Sequence, residues 1–106
     1  MSAPSPLNPS AQTPRYLAVV KIRIDKPFAH WKAFFDAHAQ TRAQLGIEDV
    51  LCAPVVGEQA VVYAVRTSHP RRILDMMYEA EAHAHIRASG HVLGAEQFTL
   101  CEVVDA

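Results

Sequence analysis

The feature that most constrains the fold of this chain is a set of short β-type segments that are apolar on both faces. In residues 60–66, alternate side chains form two apolar faces: Val61, Tyr63 and Val65 against Ala60, Val62 and Ala64. Residues 16–24 and 98–104 likewise place apolar side chains on both faces. A sheet with one face in water normally alternates apolar and polar residues. The pattern therefore predicts a sheet that is covered on both sides.

Two amphipathic segments separate these strands and are predicted to be helices. At about 100° per residue, residues 28–45 place large apolar side chains on one side, namely Phe28, Trp31, Phe34, Phe35 and Leu45. The second helix begins near Ser68 and Pro70 and ends before Gly90. Its inward face contains Ile73, Met77 and three alanines, and a kink near residues 79–81 would also turn Ile86 inward.

Residues 50–56 are predicted to be a strand that forms a hairpin with residues 60–66. The order strand–helix–strand–strand–helix–strand then predicts an α+β fold, a ferredoxin-like βαββαβ sandwich. Both helices lie on one face of its antiparallel sheet. The other face needs a second layer, and a second copy of the chain is the simplest supplier, since large apolar patches rarely persist on monomers. We expect a homodimer through the sheet face; the alternative is a monomer whose N-terminal tail covers that face.

The length of 106 residues allows a single domain. Residues 1–14 are rich in Pro, Ser, Ala and Asn and are predicted to be a disordered tail, with one ferredoxin-like domain over residues 15–106. The tail lacks the pattern of a signal peptide, and no apolar run approaches the roughly 18 residues of a membrane span. A net charge of −1 does not favour nucleic-acid binding. We expect a cytoplasmic protein with no nucleic-acid and no membrane partner.

The ordered part of the chain, about residues 16–104, resembles the dimeric α/β-barrel superfamily. The sharpest match covers the first helix and its end, through Phe28, Trp31, Phe35, His38, Arg42, Gly46 and Ile47, and is similar to small uncharacterised bacterial members. The resemblance implies two ferredoxin-like subunits that press their sheets together, with a ligand between helices and sheet in each. The superfamily includes cofactor-free monooxygenases, isomerases, haem proteins and regulatory modules, so one fold supports many chemistries.

Two polar residues interrupt the apolar stripe of the first helix and are the candidate catalytic residues, His38 and Arg42. In the functional interpretation His38 is an acid, a base or a hydrogen-bond donor, and Arg42 anchors an anion. In the structural interpretation His38 bonds a strand carbonyl and Arg42 pairs with an acid such as Glu48. The candidate ligand-binding residues surround this pair: Trp31, Phe35, Tyr63, Met77 and His83.

No cofactor or metal site is predicted. The chain has no glycine-rich phosphate loop and no HExxH motif. His83 and His85 are two residues apart on a helix and point about 200° from each other, so they cannot chelate one ion. His91, just after Gly90, either covers a pocket mouth or lies in a solvated loop.

Three functions are compatible with these residues. The first is a cofactor-independent small-molecule enzyme, monooxygenase-like or isomerase-like, acting on a small aromatic or acidic ligand. The second is a non-catalytic module that binds or senses such a ligand. The third is a purely structural dimer whose pocket is filled.

Overall fold

The structure is a computed structural model that describes residues 15–104. Its elements follow the predicted βαββαβ order, with each helix divided in two: β1 (Tyr16–Ile24), α1 (Phe28–Ala37), α2 (Ala39–Gln44), β2 (Glu48–Pro54), β3 (Ala60–Thr67), α3 (Arg71–Tyr78), α4 (Ala80–Ala88) and β4 (His91–Glu102). The prediction for residues 1–14 lies outside the described residues. Within residues 15–104, no helix is long and apolar enough to cross a membrane.

The four strands form one antiparallel sheet in the order β2-β3-β1-β4. Val20 of β1 pairs with Tyr63 of β3 on one side and with Phe98 of β4 on the other. The core lies between the helices and one face of this sheet, and its largest fully buried side chains include Ile22, Val61, Val65 and Ile73. The predicted ferredoxin-like α+β sandwich is confirmed.

The first helical segment is not continuous, and the prediction of one helix over residues 28–45 is wrong at His38. This residue has φ −104° and ψ 13°, and its backbone N–H bonds the carbonyl of Phe35 rather than continuing the α-helical ladder. The ring Nδ1 of His38 donates a hydrogen bond to the carbonyl of Phe34 instead, at 2.8 Å. A side chain that occupies the i−4 carbonyl competes with the helix, which accounts for the break.

The second helical segment breaks at Glu79, which adopts φ −65° and ψ 136°. The break lies where the sequence analysis considered a kink that would turn Ile86 inward. As a result α4 is rotated relative to α3, and Ile86 faces the space between helices and sheet.

Strand β4 begins at His91, whereas the sequence pattern predicts a strand only from residue 98. Its pairing with β1 is interrupted: Lys21 pairs with Gln97, whereas Arg23 pairs with Val92. An advance of two positions along β1 thus corresponds to an advance of five positions along β4. The extra residues form a bulge that contains Gly94 at φ 93°. The bulge reverses the alternation of faces along β4, so a period-two reading cannot follow the strand through it.

Candidate functional site

A cavity of about 190 Å³ lies between the helices and the sheet. Most of its wall is apolar. The wall is formed by the sheet, by α1 and by α3, through Ile22, Val65, Trp31, Phe35, Ile73 and Met77. An engineered cavity of about 150 Å³ holds benzene, whereas sites for drug-sized ligands begin near 300 Å³. The cavity is therefore sized for a molecule with a single ring and a few substituents.

Three aromatic rings form one wall of the cavity. Trp31 stacks on Phe35 with centroids 4.8 Å apart, and the ring of Tyr63 lies 5.3 Å from Phe35. The hydroxyl of Tyr63 makes no hydrogen bond with any residue in the range 15–104, although the residue is only 5 % exposed. Burial raises the pKa of Tyr63, so the hydroxyl stays protonated. It is a hydrogen-bond donor available to a ligand.

His38 also lines the cavity, at the break between α1 and α2. Its Nδ1 lies 2.8 Å from the carbonyl of Phe34. Because a carbonyl can only accept, Nδ1 carries the proton and Nε2 of the neutral ring has a lone pair. Nε2 makes no hydrogen bond with the described residues, and the ring of His85 lies 5.8 Å away between centroids.

Arg42 is 3 % exposed and most of its donors are used within the chain. Nε and Nη2 donate to the two carboxylate oxygens of Asp49 at 2.9 Å each, and Nη1 donates to the carbonyl of Phe35 at 2.6 Å. The guanidinium also lies 3.6 Å from the centre of the Phe35 ring. Three of five N–H groups are thus committed to holding Phe35 and β2, which leaves two for a ligand.

In the structural interpretation of the sequence, His38 and Arg42 both bond groups of their own chain. They do so here, but with partners other than the predicted ones. The acid is Asp49 rather than Glu48, because Asp49 pairs with Val65 on the helix-covered face of the sheet. The acceptor for His38 is a helix carbonyl rather than a strand carbonyl. A cavity that contacts both side chains nevertheless remains.

Six of the seven predicted site residues line one cavity: Trp31, Phe35, His38, Arg42, Tyr63 and Met77. His83 does not. The break at Glu79 turns Ala82, His85 and Ile86 toward the cavity, whereas His83 lines a neighbouring depression with Asp25 and Arg87. Nε2 of His83 is buried and has no hydrogen-bond partner.

The sequence left His91 either at a pocket mouth or in a solvated loop, and the structure places it at the cavity. It lines the cavity, is 6 % exposed, and its Nε2 lies 2.6 Å from Oε2 of Glu96. The hydroxyl of Tyr78 donates to the other oxygen of Glu96 at 2.5 Å. His91 is thus the first residue of a strand rather than part of a loop. The glycines at positions 90 and 94 were the only available signal, since they permit the turn and the bulge on either side.

Over residues 15–104, no group of three or more His, Cys, Asp or Glu side chains is arranged to hold a metal ion.

No protein-family model matches this chain, and no curated protein matches it. Among solved structures, it is similar to the crystal structure of a monooxygenase from the gene ActVA-Orf6 of Streptomyces coelicolor in complex with the ligand Nanaomycin D. The TM-score is 0.51 at 15 % identity, over 88 % of this chain and 90 % of that one. At this identity the likeness concerns the fold alone, and it agrees with the ferredoxin-like strand order β2-β3-β1-β4 of this chain.

Proposed function

We propose that this chain is a cofactor-independent enzyme that acts on a small, single-ring aromatic or acidic ligand in the cavity between helices and sheet. The observation that carries this proposal is an apolar cavity of about 190 Å³ whose wall contains polar atoms without partners in the described chain, above all Nε2 of His38 and the hydroxyl of Tyr63. Such convergence of a few polar groups in an apolar pocket is typical of active sites. The monooxygenase neighbour in fold adds support.

The reaction that this geometry suits is proton transfer to or from a bound ring. The ligand would stack on Trp31 and Phe35, whose own ring planes are only 25° apart. Nε2 of His38 would take the proton as general base. The hydroxyl of Tyr63 would donate to the developing anion, and the two remaining N–H groups of Arg42 add positive charge at the same wall. This step is common to monooxygenase-like and isomerase-like reactions.

The test begins with a thermal-shift screen of aromatic acids, phenols and lactones against the full chain. A ligand that binds only the folded state raises the melting temperature by mass action. With a hit identified, His38→Ala should abolish turnover while ligand affinity stays within a few-fold. His69→Ala is the matched control, because His69 is exposed and does not line the cavity. Equal turnover by His38→Ala and the wild type would contradict the assignment of His38.

A second candidate, a non-catalytic binding or sensing module, is favoured by one observation. His38 and Arg42 both bond their own chain, so each has a structural role without a ligand. A binder would show stabilisation by ligands but no turnover in the wild type. A purely structural dimer would show neither.

We also propose that the chain is a homodimer through the sheet face that the helices leave open. By the strand register, this face carries the charged residues Lys21, Arg23 and Arg66 together with a set of apolar side chains that includes Leu17, Val19, Leu51, Val62, Ala64 and Cys101. Leu51 alone is 52 % exposed. The four described helices contact the opposite face, so this one has no cover within residues 15–104. The N-terminal tail is the competing cover, and a monomeric mass in sedimentation would favour it.

A further inference from the structure

We propose that His91 is a second proton acceptor of the cavity, held in one tautomer by Glu96 and Tyr78, and that the ligand of this cavity carries an acidic hydrogen. This inference rests on the proposed function, because it requires a small molecule in the cavity. His91 lies at the start of β4 and so contributes an acceptor from the sheet, whereas His38 contributes one from the end of α1.

The backbone places His91 firmly at the cavity wall. His91 pairs with Ile24 of β1, and the preceding carbonyl of Gly90 accepts a bond from the Asp25 amide at 2.8 Å. Gly90 has φ 97°, and a Cβ there would lie 2.6 Å from Cγ of Lys26. Position 90 therefore requires glycine, and the pairing with the buried Ile24 places His91 on the helix-covered face of the sheet.

The bulge at Gly94 is what brings Glu96 to His91. The two residues are five apart, so in a regular strand their side chains would lie on opposite faces. The register shift between Lys21 and Arg23 reverses the alternation, and both side chains then lie on the helix-covered face. Their side chains are 4 % and 6 % exposed and are joined by the 2.6 Å contact between His91 Nε2 and Glu96 Oε2.

Glu96 is held as a carboxylate. Burial by itself would raise its pKa, but hydrogen bonds from Tyr78 and His91 outweigh this, and with the Gly94 amide at 3.2 Å they lower the pKa of Glu96. The bond to Glu96 raises the pKa of Tyr78, so the phenol remains the donor. A carboxylate with a donor on its other oxygen can only accept from His91.

The tautomer of His91 follows from this arrangement. Nε2 carries the proton that Glu96 accepts, and Nδ1 of the neutral ring has a lone pair. Nδ1 makes no hydrogen bond within residues 15–104 and is absent from the buried atoms that lack a partner, so it borders open space; His91 lines both the cavity and the neighbouring depression that contacts His83. The ring is therefore an acceptor backed by a carboxylate, the arrangement that orients a catalytic histidine in many unrelated enzymes.

The proposed step is a single proton transfer. The bond between the ligand and its acidic hydrogen breaks, the electron pair stays on the ligand, and a new N–H bond forms at Nδ1 of His91. The resulting imidazolium lies against the Glu96 carboxylate, whereas the hydrogen-bond partner of His38 is the neutral carbonyl of Phe34. No electrons leave the ligand, so the step needs no oxidant.

The experiment uses two single-ring probes of nearly equal shape, 4-nitrophenol and its methyl ether 4-nitroanisole. Only the phenol can ionise, and its phenolate is recognised by visible absorption. At a pH where free 4-nitrophenol is mostly neutral, the wild type should bind both probes and hold the phenol largely as phenolate. His91→Gln keeps an amide near the Nε2 position for Glu96 but removes the Nδ1 acceptor. It should bind the ether unchanged and lower the ratio of bound phenolate to phenol at least about tenfold.

The remaining variants separate the possible failures. Glu96→Gln should also lower the ratio, and the exposed control His69→Asn should leave it unchanged. If neither probe binds the wild type, the proposed function is wrong and this inference falls with it. If both probes bind but the ratio is the same in His91→Gln, or is lost only in His38→Asn, the inference alone is wrong.

Nitrogen-resolved NMR of the wild type tests the tautomer without any substitution. We expect a proton on Nε2 of His91 and on Nδ1 of His38 in the neutral rings. A proton on Nδ1 of neutral His91 would overturn the proposal.

Discussion

The ion pair between Arg42 and Asp49 should respond very unequally to loss of one partner or the other. The Arg42 side chain is 4 % exposed, whereas that of Asp49 is 40 % exposed. Asp49→Asn removes the negative charge and leaves the guanidinium inside the protein. Arg42→Met removes the positive charge, keeps an apolar side chain against the Phe35 ring, and leaves a carboxylate that water can reach.

The magnitudes follow from this difference in burial. Removing one partner of a buried pair costs about 3–5 kcal/mol, because the other charge is left uncompensated. We expect about 3 kcal/mol for Asp49→Asn, at the lower end, since the Phe35 carbonyl still accepts from Nη1. For Arg42→Met we expect about 1 kcal/mol, the usual value of a partly exposed pair. In Arg42→Met the Phe35 carbonyl loses its bond from Arg42 but keeps the one from the His38 backbone N–H, so it is not left without a partner.

Urea unfolding followed by tryptophan fluorescence measures both changes. Trp31 is the only tryptophan and stacks in the core beside Phe35, so its emission reports this region directly. For a domain of this size, about 1 kcal/mol corresponds to a melting-temperature shift of roughly 4–8 °C, so the two variants are easily separated. Asp36→Asn is the matched control, because Asp36 pairs with Lys32 on the surface. The reasoning is refuted if Asp49→Asn destabilises no more than Arg42→Met or than this control.

Four further predictions concern other parts of the molecule. Tyr63→Phe should change the free energy of unfolding by less than about 0.5 kcal/mol, since the hydroxyl has no partner in the described chain, but should weaken binding of hydroxylated or acidic rings in calorimetry. Gly94→Ala should destabilise by about 1–3 kcal/mol in the same urea assay, because φ 93° strains any other residue. Hydrogen bonds lower the folded-state pKa of Glu96, so its stabilisation is complete above the usual carboxyl pKa and is lost as pH falls through the lowered value; Glu96→Gln should flatten this acid decline in melting temperature. Val19→Lys, on the open sheet face, should convert a dimer to an 11.7 kDa monomer in sedimentation; a wild-type monomer would contradict the proposed interface.

The fold could be predicted because its information is local and periodic. The alternation in residues 60–66 and the apolar stripe that includes Trp31 and Phe35 each follow one regular element, and the order of elements restricts the topology. The aromatic wall of the cavity was predictable for the same reason. The partner of Arg42 was not. The choice between Glu48 and Asp49 depends on where β2 begins, and the sequence pattern places this start two residues too late.

Interruptions of regular secondary structure coincide with much of the polar wall of the cavity. His38 lies at the break between α1 and α2, Glu79 at the break between α3 and α4, and the pair His91 and Glu96 flanks the bulge in β4. An interruption of a regular helix or strand is one way for a polar group to enter its apolar face, whereas Arg42 enters this face from within α2. At the first break the Phe34 carbonyl bonds Nδ1 of the His38 ring, and beside the bulge Nδ1 of His91 has no partner within residues 15–104. Local rules are thus expected to fail where a protein binds or reacts. The coincidence of three such interruptions around one cavity is an argument, independent of any relative, that the cavity is a functional site rather than a packing defect.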